Sequence, residues 1–304
     1  MFRGFPRPRV YHRGPLKLVT YDRGGQRRLG AMLGEAVFDL PDLVGHPAFP
    51  TSMEGLMARN GGTVLQAARA VLGRGDLIRL FSVPGARTLA PVLPRSLRRF
   101  QSFRSNDEGD APAGGRSLTA GGHEGPPYIL EDHRSLLGPD DELPWPSSAD
   151  GLDYSVEVAC VIGRPGRHLS PADAGRAILG YTLAIGWAAG DRGSGAAPAD
   201  RPGTSLGPLL VTADEIDPRM LCLTARLDGE LWSEGWVRDA RWTFPEMVSR
   251  VSRTEGVLPG DVFLSGTFPG GRGADLGRRL EPGMTIEVSA EGVGTLRARV
   301  GHRA

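Results

Sequence analysis

From Leu89 onward, short apolar runs alternate with glycine and proline turns, and this pattern constrains the fold more than any other feature. The turns recur at the spacing of an all-β roll or sandwich. One helix is predicted to interrupt the strands over residues 171–184, with Ser170 as its N-cap and Asp173 three residues later. The predicted strands are LAPVL, DYSVEVACVIG, GPLLVTADE, LCLTARLDGELW, DVFLSGT, MTIEVSAEG and TLRARV.

The first 90 residues have a different pattern. Residues 16–40 resemble two short strands with a Gly-Gly turn between them, as a hairpin requires. Residues 52–72 place apolar side chains at helical spacing. We therefore predict an α+β, β-rich fold with a small N-terminal α/β domain over 1–90 and a β-roll or sandwich domain over 91–304.

Composition limits the partners of the chain. Lys+Arg total 36 and Asp+Glu total 35, so a net charge of +1 gives no electrostatic argument for nucleic acid or an anionic membrane. No apolar run reaches the ~18 residues of a membrane span, and the arginine-bearing N-terminus is not followed by an apolar signal segment. Cys160 and Cys222 each lie in an apolar strand-like run, which predicts buried free thiols in a reducing compartment. We expect a cytoplasmic protein with a small-molecule substrate.

The segment 105–127 is polar and rich in glycine, so it is predicted to be a loop. A loop of this length is usually a mobile lid or disordered. His123 is the group in it that could transfer a proton if the loop closes over a site, and it is a solvated loop residue otherwise.

The motif Gly203-Thr204-Ser205-Leu206-Gly207 satisfies the pattern G-x-S-x-G of a nucleophile elbow. An elbow needs a strand, a sharp turn and then a helix, whereas Pro208 and another apolar strand-like run follow here. We therefore reject Ser205 as a nucleophile.

Long motifs in family order resemble the fumarylacetoacetate hydrolase family over residues 90–300. They are LDYSVEVACVIGRPGRHLSPADAGRAILGYTLA, SLGPLLVTADEI, DGELWSEG, RWTFPEMVSRVSR, LPGDVFLSGT and PGMTIEVSAEGVGTLRARV. The resemblance implies a small N-terminal domain, a mixed β-roll and a homodimer. It also implies action on a 1,3-dicarbonyl or 2-oxo acid, with Mg²⁺ or Ca²⁺ held by carboxylates to stabilise the enolate.

Most of the metal ligands implied by the resemblance are missing from this sequence. The family's first aspartate falls on Arg99, its E-x-E pair falls on Ser155 and Glu157, and its later aspartate falls on Gly186. One carboxylate beside one arginine holds a divalent cation poorly, because little negative charge remains to offset dehydration of the ion. We therefore expect no catalytic metal and no cofactor.

The family's hydrolytic residues are also altered. Its water-activating histidine falls on Asn106, which cannot take up a proton at neutral pH. Its R-D-x-Q segment keeps only Asp191, whereas Thr267 of LSGT matches the family. Ordinary hydrolysis of the fumarylacetoacetate type is therefore not expected.

The remaining side chains allow both structural and functional interpretations. Glu157 is either a buried carboxylate neutralised by Arg99 or a general acid or base with a raised proton affinity. Arg99 and Arg104 are either ion-pair partners or groups that grip a substrate carboxylate. Trp187 either fills the volume of the lost metal or stacks on a flat substrate. The catalytic candidates are Glu157, Asn106 and Asp191, and the substrate-binding candidates are Arg99, Phe103, Arg104, Tyr128, Ser155, Trp187 and Thr267.

Three functions stay open at this point. The leading hypothesis is an enzyme of small-molecule or specialised metabolism that performs metal-independent proton transfer as a lyase, isomerase or cyclase. The second is a catalytically silent relative that binds a ligand or a partner. The third is a metal-dependent carbon-carbon hydrolase whose ligands come from unexpected positions such as Asp191, Glu131 or Asp132.

Overall fold

A computed structural model describes residues 15–59, 62–73, 81–103, 125–147, 149–189 and 201–303. These residues form two β-sheets and five α-helices. The strands are β1 (Lys17–Arg23), β2 (Gln26–Leu33), β3 (Ala36–Asp39), β4 (Thr88–Leu89), β5 (Ser96–Phe100), β6 (Tyr128–Glu131), β7 (Leu136–Leu137), β8 (Glu142–Leu143), β9 (Leu152–Ile162), β10 (Ile178–Ala189), β11 (Thr204–Thr212), β12 (Cys222–Leu227), β13 (Glu230–Trp236), β14 (Asp261–Leu264), β15 (Thr285–Ala290) and β16 (Gly294–Val300). The helices are α1 (Leu40–Val44), α2 (Met53–Ala58), α3 (Gly62–Leu72), α4 (Pro171–Ala177) and α5 (Phe244–Ser252).

The large sheet has the strand order β3-β2-β1-β11-β10-β9-β14-β5-β6, with β4 paired to β1 and β7 paired to β11. The small sheet has the order β13-β12-β15-β16-β8. The predicted α+β, β-rich fold is confirmed. The predicted division at residue 90 stays a prediction, and β1 pairs with β11, so the N-terminal strands extend the large sheet.

The large sheet is buried on both faces, as β9 shows. Successive side chains of a strand point to opposite faces. Val156 and Val158 pack into a cluster with the small sheet and α5, whereas Ala159 and Val161 pack into a cluster with the N-terminal helices. We call these the inner face and the outer face of the large sheet.

The N-terminal hairpin forms as predicted. Gly24 and Gly25 connect β1 to β2 with φ of +63° and +82°, a left-handed conformation that glycine adopts without steric cost. The predicted helical stretch 52–72 is described as two helices, α2 and α3, separated by residues 60–61, which are not described. Within the described residues, no helix is long and apolar enough to cross a membrane.

The carboxylate of Asp39 ties this hairpin to the next helix. It accepts hydrogen bonds from Arg28 Nε at 2.6 Å, from the hydroxyl of Tyr21, and from the backbone N–H of Asp42 at 2.7 Å, which caps α1. Burial acts to raise the pKa of Asp39, but the hydrogen bonds from Arg28 and Tyr21 outweigh it and hold the pKa below its ordinary value.

The helix predicted over 171–184 is too long. Ser170 caps α4 as expected, since its hydroxyl accepts from Asp173 N, but the helix ends at Ala177 and Ile178 has extended backbone angles. Every residue from Ile178 to Ala189 is buried, and the side chains alternate between the two faces of the sheet. Pairing with β9 and β11 therefore overrides the local helical pattern.

The two cysteines are both free, with Cys160 buried and Cys222 partly exposed. Burial raises the pKa of the Cys160 thiol well above its ordinary value, so this thiol is unreactive. The structure agrees with the rejection of a nucleophile elbow, because Ser205 lies inside β11 and accepts a hydrogen bond from Trp187 Nε1 at 2.9 Å.

Candidate functional site

Residues from four strands meet on the outer face of the large sheet near one end of β9. The register pairs Gly186 with both Ser155 and Thr204, and it pairs Ala184 with Glu157. Because alternate residues share a face, these positions form one surface. The strands β9, β10 and β11 thus bring together residues that are about 50 positions apart in the chain.

Arg99 of β5 reaches this surface across the end of β14. Its Nη1 forms an ion pair with Glu157 Oε1, its Nε donates to Glu131 Oε1 at 2.6 Å, and its Nη2 donates to Thr204 Oγ1 at 3.4 Å. The side chains of Arg99 and Glu157 are only 9% and 1% exposed. This is a buried ion pair, for which loss of one partner is costly.

The remaining contacts of Glu157 come from its own strand and from the turn after β14. Ser155 Oγ donates to Oε1 at 2.6 Å, and the backbone N–H of Gly266 donates to Oε2 at 3.1 Å. Gly266 has φ of +73°, and a Cβ there would collide with the carbonyl oxygen of Phe100. Both carboxylate oxygens are therefore paired, and a glycine is required to place one of the donors.

Gly186 leaves the space that the guanidinium occupies. An ideal Cβ at this position would lie 2.6 Å from Arg99 Nη2 and closer still to Arg99 Nη1 and Ser155 Oγ. No residue with a side chain fits here while Arg99 holds this position. The arginine and the glycine are therefore matched to each other, and the guanidinium lies where a carboxylate at 186 would project.

A second arginine balances the charge of the cluster. Arg201 Nη1 lies 3.2 Å from Glu131 Oε1, and the Arg201 side chain is 32% exposed. Two carboxylates, Glu131 and Glu157, thus face two guanidinium groups. Burial lowers the pKa of Arg99, the carboxylate of Glu131 acts in the opposite direction, and Arg201 lowers it further.

The described residues do not fit a divalent cation of the kind that the family resemblance implies. Among Ser155, Glu157 and Gly186, only Glu157 offers a carboxylate, and the guanidinium of Arg99 is in direct contact with it. No group of three or more His, Cys, Asp or Glu among the described residues is arranged to hold a metal. Glu131 is held by two arginines, and Asp132 is paired with Arg134 at 2.9 Å. A hard cation beside Arg99 would meet repulsion and few oxygen ligands.

Two predicted substrate-binding residues are not brought to this site. Trp187 follows Gly186 in β10 and therefore lies on the inner face, where it is fully buried and bonded to Ser205. Tyr128 lies opposite Phe100 in β6 and donates to Glu255 Oε1 at 3.0 Å. Trp187 therefore neither fills the space beside Glu157 nor faces a ligand there.

Two other predicted residues lie next to the site. Thr267 follows Gly266, and its Oγ1 is buried with no hydrogen-bond partner among the described residues. Phe103 is half-buried and packs edge-on against Phe268, with ring centroids 6.2 Å apart. Thr267 can therefore offer a hydroxyl to a ligand, whereas Phe103 supports the turn that carries it. Arg104, Asn106, His123 and Asp191 lie outside the described residues.

Sequence reasoning missed three parts of the cluster. Glu131 was considered only as a metal ligand, and its contact with Arg99 depends on the pairing of β5 with β6. Neither Thr204 nor Arg201 is among the predicted site residues. The available signal for Thr204 was the alternation of β11, which places Thr204 on the opposite face from Ser205.

The two sheets and the cluster on the outer face define a mixed β-roll protein with its candidate site at the end of β9. Residues 110–301 match the family described as "Fumarylacetoacetate (FAA) hydrolase C-terminal". This match covers more than half of the chain, so the chain belongs to that family. The predicted resemblance is confirmed.

Similar proteins include human mitochondrial oxaloacetate tautomerase FAHD2A, which is 34% identical over 144 residues, 45% of this chain and 46% of the relative. The matched region thus spans about half the length of that relative. A solved fumarylacetoacetate hydrolase from Exiguobacterium antarcticum has a TM-score of 0.73 at 23% identity, covering 95% of this chain and 100% of its own. The 5-carboxymethyl-2-hydroxymuconate delta-isomerase of Mycobacterium smegmatis has a TM-score of 0.66 at 23% identity, and the match covers 94% of this chain and 99% of the isomerase chain. At these identities the solved structures show the fold.

Proposed function

We propose that this chain is an enzyme that moves a proton at the carbon beside the carbonyl of a small 2-oxo acid or 1,3-dicarbonyl compound, without a divalent cation. The observation that carries the proposal is the position of the Arg99 guanidinium, which contacts Glu157 and lies over Gly186. A guanidinium in a poorly solvated site stabilises an enolate oxygen as a cation would. Arg99 thus supplies positive charge at the place where the family resemblance implies a metal.

The proton step uses Ser155 and Glu157 together. Glu157 is fully buried, whereas Ser155 is partly exposed and donates to Glu157 Oε1 at 2.6 Å. When the C–H bond of the substrate breaks, its electron pair forms the enolate and its proton goes to Ser155 Oγ. The original hydroxyl proton of Ser155 passes to Glu157 Oε1, so the charge is conserved. Return of the proton to the other end of the enolate gives the isomer.

Isomerisation or tautomerisation is the outcome we favour. The human relative is named an oxaloacetate tautomerase and one solved structure a delta-isomerase, and these names do not describe hydrolysis, whereas the Exiguobacterium antarcticum structure is named a hydrolase. Lyase and cyclase reactions begin from the same enolate and would need the same charge at Arg99. We further propose that the protein acts in small-molecule or specialised metabolism as a homodimer, which the family resemblance implies, and in the cytoplasm, which the two free cysteines favour.

A catalytically silent binding protein is the second candidate. Both oxygens of Glu157 are paired, and the four charges of the cluster balance within it. A closed network of this kind can be purely structural. This candidate predicts ligand binding without any exchange of substrate protons.

Deuterium exchange tests the proposal because it reports proton abstraction whatever the final product is. Purified protein is treated with a chelator, and exchange at the carbon beside the carbonyl of oxaloacetate and acetopyruvate is followed by NMR in D₂O. We expect exchange to persist after chelation and to fall about 100-fold or more in Glu157→Gln. The matched control is Glu255→Gln, which removes a carboxylate from an arginine pair on the inner face and should leave the exchange rate unchanged.

Three results would overturn the proposal. Exchange that is lost with the chelator and restored by Mg²⁺ would establish a metal-dependent enzyme. Equal exchange in wild type and Glu157→Gln would remove the proton-transfer role. Binding of these compounds with no exchange would favour the silent binding protein.

A further inference from the structure

A cavity of about 380 Å³ lies on the inner side of the large sheet, beside the start of α5. Its lining is mainly aromatic and aliphatic. Its buried aromatic residues are Tyr181 of β10 and Phe244 of α5, whose ring centroids are 5.4 Å apart. Trp242 and Met247 complete the apolar wall, and the volume is within the range of small-molecule sites.

This cavity is separate from the Arg99 cluster. Tyr181 belongs to the apolar cluster of the inner face, whereas the partner of Glu157 in β10 is Ala184, which belongs to the outer cluster. The two sites share only the turn after β14. Ser265 lines the cavity, and the next residue, Gly266, donates its N–H to Glu157.

The hydroxyl groups of the cavity are not equivalent. Ser102 donates to the carbonyl of Ser265, Ser265 Oγ donates to the carbonyl of Gly266 at 2.6 Å, and Thr243 Oγ1 donates to Glu246 at 2.8 Å. The hydroxyl of Tyr181 has no hydrogen-bond partner in the part of the chain that the structure describes, although the residue is only 5% exposed. The hydroxyl oxygen is not among the buried atoms that lack a partner, so it is open to the cavity, where it can donate to water or to a ligand.

The charged residues of the cavity lie at its mouth. Asp217 and Arg219 line the opening and are both exposed. Burial raises the pKa of the Tyr181 phenol, so this hydroxyl keeps its proton and remains a donor at neutral pH. The interior therefore offers aromatic surface, aliphatic surface and one neutral hydrogen-bond donor, and it offers no charge to balance an ion.

We propose that this cavity is a second binding site, which takes a small uncharged aromatic molecule whose carbonyl or hydroxyl oxygen accepts a hydrogen bond from Tyr181. The ring of the ligand packs against Phe244 and Trp242. The site does not depend on the reaction proposed for the Arg99 cluster, and its test needs no turnover.

Two related probes test the site by saturation-transfer NMR and titration. 2-Acetylnaphthalene carries an acceptor oxygen, and 2-ethylnaphthalene has nearly the same shape without it. We expect the wild-type protein to bind both probes. We expect Tyr181→Phe to bind the acetyl probe about fivefold more weakly and the ethyl probe unchanged, because about fivefold in affinity corresponds to the loss of one hydrogen bond. The control Tyr154→Phe, whose hydroxyl bonds to Ser233 elsewhere on the inner face, should bind both probes like the wild type.

Filling the cavity gives an independent readout. Ala240→Trp and Ala213→Phe each place a large side chain in the lining without removing a polar group, and both should abolish binding of both probes. Circular dichroism tests whether each variant is folded. Two variants are used so that one remains informative if the other does not fold. The site is refuted if the wild type binds neither probe or if both folded filling variants bind like the wild type. Loss of binding on filling with no effect of Tyr181→Phe would refute the role of the hydroxyl.

Discussion

Removing the positive charge of Arg99 should lower the stability of the protein, because Glu157 loses the cation that neutralises it. In Arg99→Met, Glu157 stays 99% buried at its side chain and keeps only the hydrogen bonds from Ser155 and Gly266. Breaking a buried ion pair by removing one partner costs about 3–5 kcal/mol, since it leaves an uncompensated buried charge. We expect the free energy of unfolding to fall by that amount.

Arg98 provides a matched control one residue away. It is also buried and is paired with Glu255 on the opposite face, at 2.5 Å, but the Glu255 side chain is 42% exposed. Water can solvate Glu255 when Arg98 is replaced, so Arg98→Met should cost about 1–3 kcal/mol. The two substitutions remove the same group from the same strand and differ in the burial of the carboxylates left behind. Arg99→Met also removes one partner of Glu131, which is 6% exposed at its side chain and keeps the contact with Arg201.

Urea unfolding at neutral pH measures both costs, provided that the slopes with denaturant agree between variants. The double variant Arg99→Met with Glu157→Met removes both ions of the pair and should recover at least about 2 kcal/mol of the loss. The interpretation fails if Arg99→Met costs no more than Arg98→Met, or if the double variant recovers nothing. Either outcome would mean that the guanidinium does not neutralise Glu157.

The structure makes three further predictions. Gly186→Ala forces a methyl group against the Arg99 guanidinium and should lower the free energy of unfolding by about 1–3 kcal/mol. Gly175→Ala, in helix α4, places its methyl group at an ordinary contact distance of 3.6 Å from Pro245 and should raise the free energy of unfolding by up to about 1 kcal/mol, so urea unfolding distinguishes the two variants. Trp187→Phe removes a buried hydrogen bond on the inner face and should cost about 1–3 kcal/mol with no change in the rate of deuterium exchange, while a lost exchange rate would place Trp187 at the site after all. The pKa of Asp39 is held below its ordinary value of 3.8, so the carboxylate's contribution to the free energy of unfolding is fully present above that pH and is lost as the pH falls through the folded pKa. The difference in free energy of unfolding between the wild type and Asp39→Asn should therefore narrow in acid unfolding below about pH 4. A difference that stays constant with pH would contradict the shift.

The sequence was sufficient for features that depend on local chemistry or on long motifs. The Gly24-Gly25 turn predicted the first hairpin, and the residues after Ser205 excluded a nucleophile elbow. The family motifs aligned Arg99 with Glu157, and the structure brings these two residues into contact. Such predictions hold because the signal lies within a few residues or in a motif whose order is preserved.

Predictions failed where tertiary pairing decides the outcome. Residues 178–184 follow a good helix N-terminus, yet pairing with β9 and β11 makes them a strand. The face of Trp187 is likewise set by strand pairing, since its register with Tyr154 of β9 places it on the face opposite Gly186. The contact between Arg99 and Glu131 depends on the register of β5 with β6, which no local pattern specifies.

We propose that a guanidinium, and not a divalent cation, balances the charge of Glu157. The most direct measurement is anomalous diffraction from crystals of the wild-type protein grown with Mn²⁺. We expect no manganese peak within coordination distance of Glu157, and we expect the Arg99 guanidinium in contact with the Glu157 carboxylate. A manganese ion bound to Glu157, with Arg99 displaced from Gly186, would contradict it.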